Sequence, residues 1–83
     1  MLKLCYFASV REQLGKTDET LMLPAGITTV GELSKLLAER GEAWQMLNDE
    51  KSVLIAVNQQ VSSRDQRLHG SEEIAFFPPM TGG

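Results

Sequence analysis

Five short strands and one amphipathic helix, in the order strand, strand, helix, strand, short strand, strand, predict an α+β domain. The helix lies across one face of a mixed sheet. Two observations carry this. Apolar residues alternate with a period of two at both ends and in the middle of the chain, and between positions 30 and 37 they repeat at helical spacing. The length of 83 residues bounds the answer to one domain with one small core.

The elements follow in chain order. Residues 2–8, Leu-Lys-Leu-Cys-Tyr-Phe-Ala, read as the first strand. Leu2, Leu4 and Tyr6 share one face and Lys3, Cys5 and Phe7 the other. Val10–Leu14 forms a helical turn that Gly15 stops. Glu19–Leu23 is a second strand, ended by Pro24-Ala25-Gly26. Thr29 and Glu32 have capping-box spacing, which opens a helix whose packing stripe is Val30, Leu33, Leu36 and Leu37. Gly31 in its first turn is a local cost of about 1 kcal/mol, and Gly41 is the stop. Glu42–Leu47 is a further short helical piece with Trp44 and Leu47 as packing residues. Val53–Val57 is the third strand, with Val53, Ile55 and Val57 on one face. Asn58-Gln59-Gln60 is a turn, Val61 opens a brief fourth strand, and residues 68–71 turn again. Glu72–Phe77 is the last strand, and Pro78-Pro79 ends ladder pairing because neither residue has an amide proton. One helix across such a sheet is the ubiquitin-like β-grasp arrangement, spanning residues 1–79 with a flexible tail over 80–83.

Composition excludes several function classes. Apolar residues are 42% and charged residues 23%, ordinary for a globular domain. The net charge is −3, which disfavours a nucleic-acid partner. A single cysteine, Cys5, permits neither an intramolecular disulfide nor a cysteine metal cage, and it excludes an iron–sulfur ferredoxin. A reducing cytoplasm fits this usage. No apolar run approaches a membrane helix, and no targeting segment is apparent.

The sheet face away from the helix is normally polar. Here it carries Cys5, Phe7, Leu54, Ala75 and Phe77. That apolar patch is a candidate partner surface; a covering loop or a one-residue register shift would account for the same pattern.

The end of the chain carries the chemistry. Met80-Thr81-Gly82-Gly83 follows the two prolines and, if extended, reaches roughly 13 Å. Without side chains, Gly82 and Gly83 can thread a channel too narrow for other residues. The reactive group is the α-carboxylate of Gly83. Adenylation by ATP turns a carboxylate into a mixed anhydride. An amine nucleophile then gives protein conjugation, and a sulfide equivalent gives a thiocarboxylate. A bare Gly-Gly is also what a frayed terminus looks like. The Pro-Pro anchor, the patch and the strand order favour the functional reading.

On these residues the chain resembles the small-subunit family of molybdopterin synthase, the sulfur carriers of molybdenum cofactor biosynthesis. The resemblance spans the whole chain. It is carried by Tyr6-Phe7-Ala8, Val10-Arg11-Glu12, Gly15, Ile55-Ala56-Val57-Asn58-Gln59, Glu72 through Pro79, and Thr81-Gly82-Gly83. Met80 departs from the valine more usual in the family, and Cys5 from an aliphatic residue. The resemblance implies that an E1-like adenylyltransferase uses ATP to activate Gly83. A cysteine desulfurase or rhodanese-type donor then supplies sulfur. The thiocarboxylate enters the active site of the large subunit, threaded by Met80, Thr81 and Gly82, and sulfurates cyclic pyranopterin monophosphate. It further implies two large plus two small subunits, catalytic groups on the large subunit, and no cofactor or metal on this chain. The partner-binding residues are then Phe7, Arg11, Leu54, Ala75, Phe77, Pro78 and Pro79, with Arg11 equally accounted for by a surface contact. The alternatives are a sulfur carrier for thiamin or tRNA thiolation, a ubiquitin-like modifier, and a plain interaction module.

Five other residues read as structural. His69 is a solvated turn residue, Cys5 a small hydrophobe and Trp44 a packing residue. Glu72 and Glu73 are a charged lead-in to the last strand, not a catalytic pair.

Overall fold

The computed structural model describes residues 1–79. The elements are β1 (Leu2–Tyr6), α1 (Ala8–Leu14), β2 (Asp18–Leu21), α2 (Val30–Ala38), a 3-10 helix (Glu42–Asn48), β3 (Leu54–Val57), β4 (Gln60–Val61) and β5 (Glu73–Phe77). The five strands form one sheet in the order β2-β1-β5-β3-β4. β1 runs parallel to β5, and the other three pairings are antiparallel. The last strand of the chain is therefore the middle strand of the sheet. The mixed sheet crossed by one main helix is the expected β-grasp. The tail read at Met80–Gly83 lies outside the described residues.

The period-two alternation holds in β1 and β5, while in β3 Ala56 is buried along with Ile55 and Val57. Leu2, Leu4 and Tyr6 of β1, Ile74 and Phe76 of β5 and Val53 beside β3 are fully buried, and Ile55 and Val57 of β3 are buried. Tyr6 stacks on Phe76 and meets Trp44 edge-on, each with centroids 5.6 Å apart. Leu47 is buried and Trp44 packs half-buried against the core, as the spacing predicts.

α2 opens with the expected capping box. The Thr29 hydroxyl accepts the Glu32 amide at 3.2 Å, and Glu32 Oε1 accepts the Thr29 and Thr28 amides at 3.0 and 2.7 Å. Its buried stripe is Val30, Leu33, Ser34 and Leu37. Leu36, expected on that stripe, is instead exposed. At about 100° per residue it falls some 60° beyond Leu33, off the edge of the packing face. The helix closes at Ala38, before Gly41, because the amides of Glu39 and Arg40 turn back onto the carbonyls of Leu36 and Leu37.

Other boundaries shift by a residue or two. The Val10–Leu14 turn is a full helix starting at Ala8. β2 begins at Asp18, opposite Cys5, and stops at Leu21, leaving Met22 exposed. Gln60 belongs to β4, because Asn58 and Gln59 alone make the turn, both with positive φ (51° and 71°). That is the geometry of a two-residue hairpin turn whose twist matches the strands.

Gly31 is a close-approach residue. Its amide donates to the Arg64 carbonyl at 2.8 Å, and a Cβ there would sit 3.1 Å from that oxygen. Arg64 in turn donates to the carbonyls of Leu47 and Val53 at 2.6 and 2.8 Å, tying the 3-10 helix to the start of β3. Burial lowers the Arg64 pKa.

Candidate functional site

The site is built around the carboxyl end of β5. Because β5 is hydrogen-bonded on both sides, the chain that follows Phe77 leaves from the best-anchored strand of the sheet. On one side Phe77 pairs with Leu54 of β3. On the other, the amide of Phe7 donates to the Phe76 carbonyl at 3.0 Å. Phe7 and Leu54 thus flank Phe77, with Pro78 half-buried and Pro79 exposed next in line.

Register settles which residues share the open face. Cys5 pairs with Ala75, Ala75 with Ala56, and Ala56 with Val61, one row across four strands. Paired residues point the same way, so this row and the Phe7, Phe77 and Leu54 row above it form one apolar surface. No described loop covers it at the edges: Phe7 is 48% exposed and Val61 72%. Sequence reasoning brought together Cys5, Phe7, Leu54, Ala75 and Phe77, and the structure does too. It adds Val61, and it buries Ala56, which alternation puts on the same side as Leu54. Val61 was missed because β4 is only two residues long and shows no alternation of its own.

Arg11 lies one helical turn beyond Phe7, whose carbonyl accepts its amide at 3.3 Å. It is exposed on α1 and makes no side-chain hydrogen bond or ion pair among the described residues. Its carbonyl accepts the amide of Gly15, whose φ of 67° closes α1 in the left-handed region. At the other end of α1, Ala8 has a φ of 52°. A left-handed residue with a Cβ costs about 1–2 kcal/mol.

The amino end of β5 is locked from two sides. Asn58 Oδ1 accepts the Glu73 amide at 3.0 Å, and the Asn58 amide donates to the Glu73 carbonyl at 2.8 Å. Glu72, read from sequence as a charged lead-in, is instead a buried carboxylate. It accepts the amides of His69, Gly70 and Ser71 at 2.8–3.1 Å and contacts His69 Nδ1 at 3.1 Å. Burial alone would raise its pKa; the amides of Gly70 and His69 and the His69 ring outweigh that and hold it down to about 2. The His69 side chain is itself largely exposed, as expected of a turn residue. Nothing in sequence spacing marks Glu72 as internal, because its donors are backbone amides of a turn.

A second buried-edge network joins β1, β2 and the segment after α2. Glu19 accepts Tyr6 Oη at 2.8 Å and a two-pronged contact from Arg40 at 2.7 and 3.2 Å, and Arg40 lies 4.6 Å over the Trp44 ring. Burial pushes the Glu19 carboxyl up, but the Arg40 and Tyr6 hydrogen bonds leave it below its usual value. Burial and the neighbouring Glu73 raise the Cys5 thiol pKa, the opposite of what a nucleophilic thiolate needs. Among the described residues no cluster of His, Cys, Asp or Glu is placed to hold a metal ion, and no helix is long and apolar enough to cross a membrane.

The ThiS family matches residues 4–83. The chain belongs to the ThiS family. Within it, the chain is 41% identical to the molybdopterin synthase sulfur carrier subunit of Escherichia coli strain K12, covering all 83 residues and the whole of that protein. It is 32% identical to the protein of the same name from Haemophilus influenzae, again over the whole of both chains. Among solved structures, SAMP1 of Haloferax volcanii superposes with a TM-score of 0.76, covering 99% of this chain and 98% of that one, at 22% identity. That likeness shows the shared β-grasp fold. The ThiS-family chain thus presents an open apolar sheet face whose centre is the strand leading to its carboxyl end.

Proposed function

We propose that this chain is the sulfur carrier subunit of a molybdopterin synthase. The single observation that carries the reading is the position of β5. The middle strand delivers Phe77-Pro78-Pro79 to the rim of an exposed apolar face, so one docking event both buries the face and aims the residues that follow. The names borne by its full-length relatives support the same reading. The chain is a donor and not a catalyst: sulfur transfer needs acid–base and anion-stabilising groups in a dry cavity, and these belong to the large subunit.

In this scheme an E1-like adenylyltransferase consumes ATP and joins AMP to the Gly83 carboxyl, releasing pyrophosphate. The terminal sulfur of a persulfide on a cysteine desulfurase or rhodanese-type donor attacks the acyl adenylate and displaces AMP. A thiol then cleaves the S–S bond of the resulting acyl disulfide, is itself oxidised to a disulfide, and leaves the thiocarboxylate. Two large and two small subunits then assemble, and Met80, Thr81 and Gly82 thread the tail to cyclic pyranopterin monophosphate. Tethering supplies the sulfur at high effective concentration. No cofactor or metal is bound by this chain, and the cycle runs in the cytoplasm, without nucleic acid or membrane.

The test is reconstitution. Thiocarboxylated chain, the large subunit of the same organism and cyclic pyranopterin monophosphate are mixed and molybdopterin is assayed. Product supports the reading. No product from two folded proteins moves the sulfur to another pathway, such as thiamin or tRNA thiolation, and higher-mass conjugates in extracts would move it to protein modification.

Docking has its own expected outcome. Phe77→Ala removes the aromatic at the centre of the rim and weakens binding to the large subunit by about 2 kcal/mol, or about thirtyfold in Kd. An unchanged Kd by calorimetry removes Phe77 from the interface.

A further inference from the structure

Three features that run against stability meet at one corner of the open face. Phe7 occupies the N-cap of α1 and provides no side-chain cap, at a position where Ser, Thr, Asp or Asn serves the helix better. Its ring is half exposed. The next residue, Ala8, is left-handed at φ 52°. The backbone of Phe7, by contrast, is fully engaged. Its amide donates to Phe76 at 3.0 Å, and its carbonyl accepts the amides of Val10 and Arg11 at 3.1 and 3.3 Å.

Those bonds define what Ala8 does. The Phe7 amide is held as a continuation of the β1–β5 ladder, and the Phe7 carbonyl is held as the first acceptor of α1. The chain must pass from sheet to helix within one residue. Phe7 itself stays extended (φ −121°, ψ 151°), so its side chain keeps the strand alternation and falls on the face of Cys5, Ala75 and Phe77. Ala8 makes the corner.

We propose that Ala8 is a positioning residue for docking: its left-handed backbone holds Phe7 outward at the rim, so that this anchor is preformed before a partner arrives. Strain retained beside an exposed aromatic is the pattern expected where pre-organisation serves binding. Glycine would turn the same corner without strain, yet it would also open other conformations to Phe7. The methyl group of Ala8 closes those off. The proposal rests on the docking role above and deepens it.

The test uses the full chain made by ligation with D-alanine in place of Ala8, alongside Ala8→Gly and wild type. A D-residue prefers positive φ and keeps a Cβ, so it meets the positional requirement without the strain. Kd for the large subunit is measured by calorimetry, and backbone order parameters at residues 7 and 8 are measured in the free chain. Ala8→Gly is expected to lower the order parameters and raise Kd by about two- to fivefold. The D-alanine chain is expected to restore both. Wild-type affinity in Ala8→Gly, or a D-alanine chain as weak as the glycine variant, overturns the proposal. If wild type itself fails to bind, the docking role is wrong, and the order parameters alone decide Ala8: no drop in the glycine variant sinks it.

Discussion

Deletion of Gly83 is expected to abolish molybdopterin formation in the reconstituted system while shifting Tm by no more than about 3 °C. The two halves of this result have separate causes. Chemistry is lost because shortening the tail by one residue withdraws the acyl carbon by about 3.3 Å. The group left at the end is then the carboxyl of Gly82, short of both the adenylating site and the pterin. A reacting atom misplaced by even 1 Å costs orders of magnitude. Stability is kept because the buried core among the described residues ends at Phe76, and every strand of the sheet is complete by Phe77. Adenylation followed by pyrophosphate release, and molybdopterin by fluorescence of its oxidised product, check the first half; a thermal melt checks the second. Retained sulfur transfer would leave the chain an interaction module without terminal chemistry. A fall in Tm of 10 °C or more would show the end of the chain packed on its own domain.

Glu72→Ala is expected to be the most destabilising single change outside the apolar core, with a cost of about 3 kcal/mol and a Tm lower by roughly 10–20 °C. The carboxylate satisfies three successive backbone amides, and its removal takes the charged acceptor from all three and unties the turn that leads into β5. Glu72→Gln keeps one acceptor oxygen and should fall between the two. The pH dependence has a definite sign. The folded pKa of about 2 lies below the ordinary 4.5, so the folded state favours the charged form. The stabilisation is present in full above pH ~4.5 and is lost as pH falls through that window toward ~2. Glu19 titrates in the same sense, so the difference between the wild-type and Glu72→Gln curves isolates Glu72. Parallel curves between pH 2 and 5 in urea melts would show that the buried carboxylate contributes nothing.

Much of this was legible in the chain because the signals are local. The capping box needs only Thr29 and Glu32 three apart, and the open-face patch needs only the alternation of Cys5 with Tyr6 and of Ala75 with Phe76. Boundaries were less legible because they depend on partners. β2 stops at Leu21, the residue opposite Leu2 at the start of β1, and α2 stops early because two amides turn back on its own carbonyls. Leu36 misled because four leucine-class residues at helical spacing exceed the arc that one sheet face can bury.

What the sequence by itself determined is the β-grasp order, the composition of the apolar face and the Gly-Gly end after two prolines, since each is a property of period or of residue type. What only the tertiary structure decided is which strand lies in the middle, that Glu72 is internal, that Gly31 is a contact with Arg64, and that Ala8 turns a corner in the left-handed region. Three of these depend on atoms far apart in the chain or on one backbone angle, and the fourth, Glu72, on how a single turn folds its amides around the carboxylate. A residue's chemistry limits such relations, but only the packing of the whole sheet and helix selects among them.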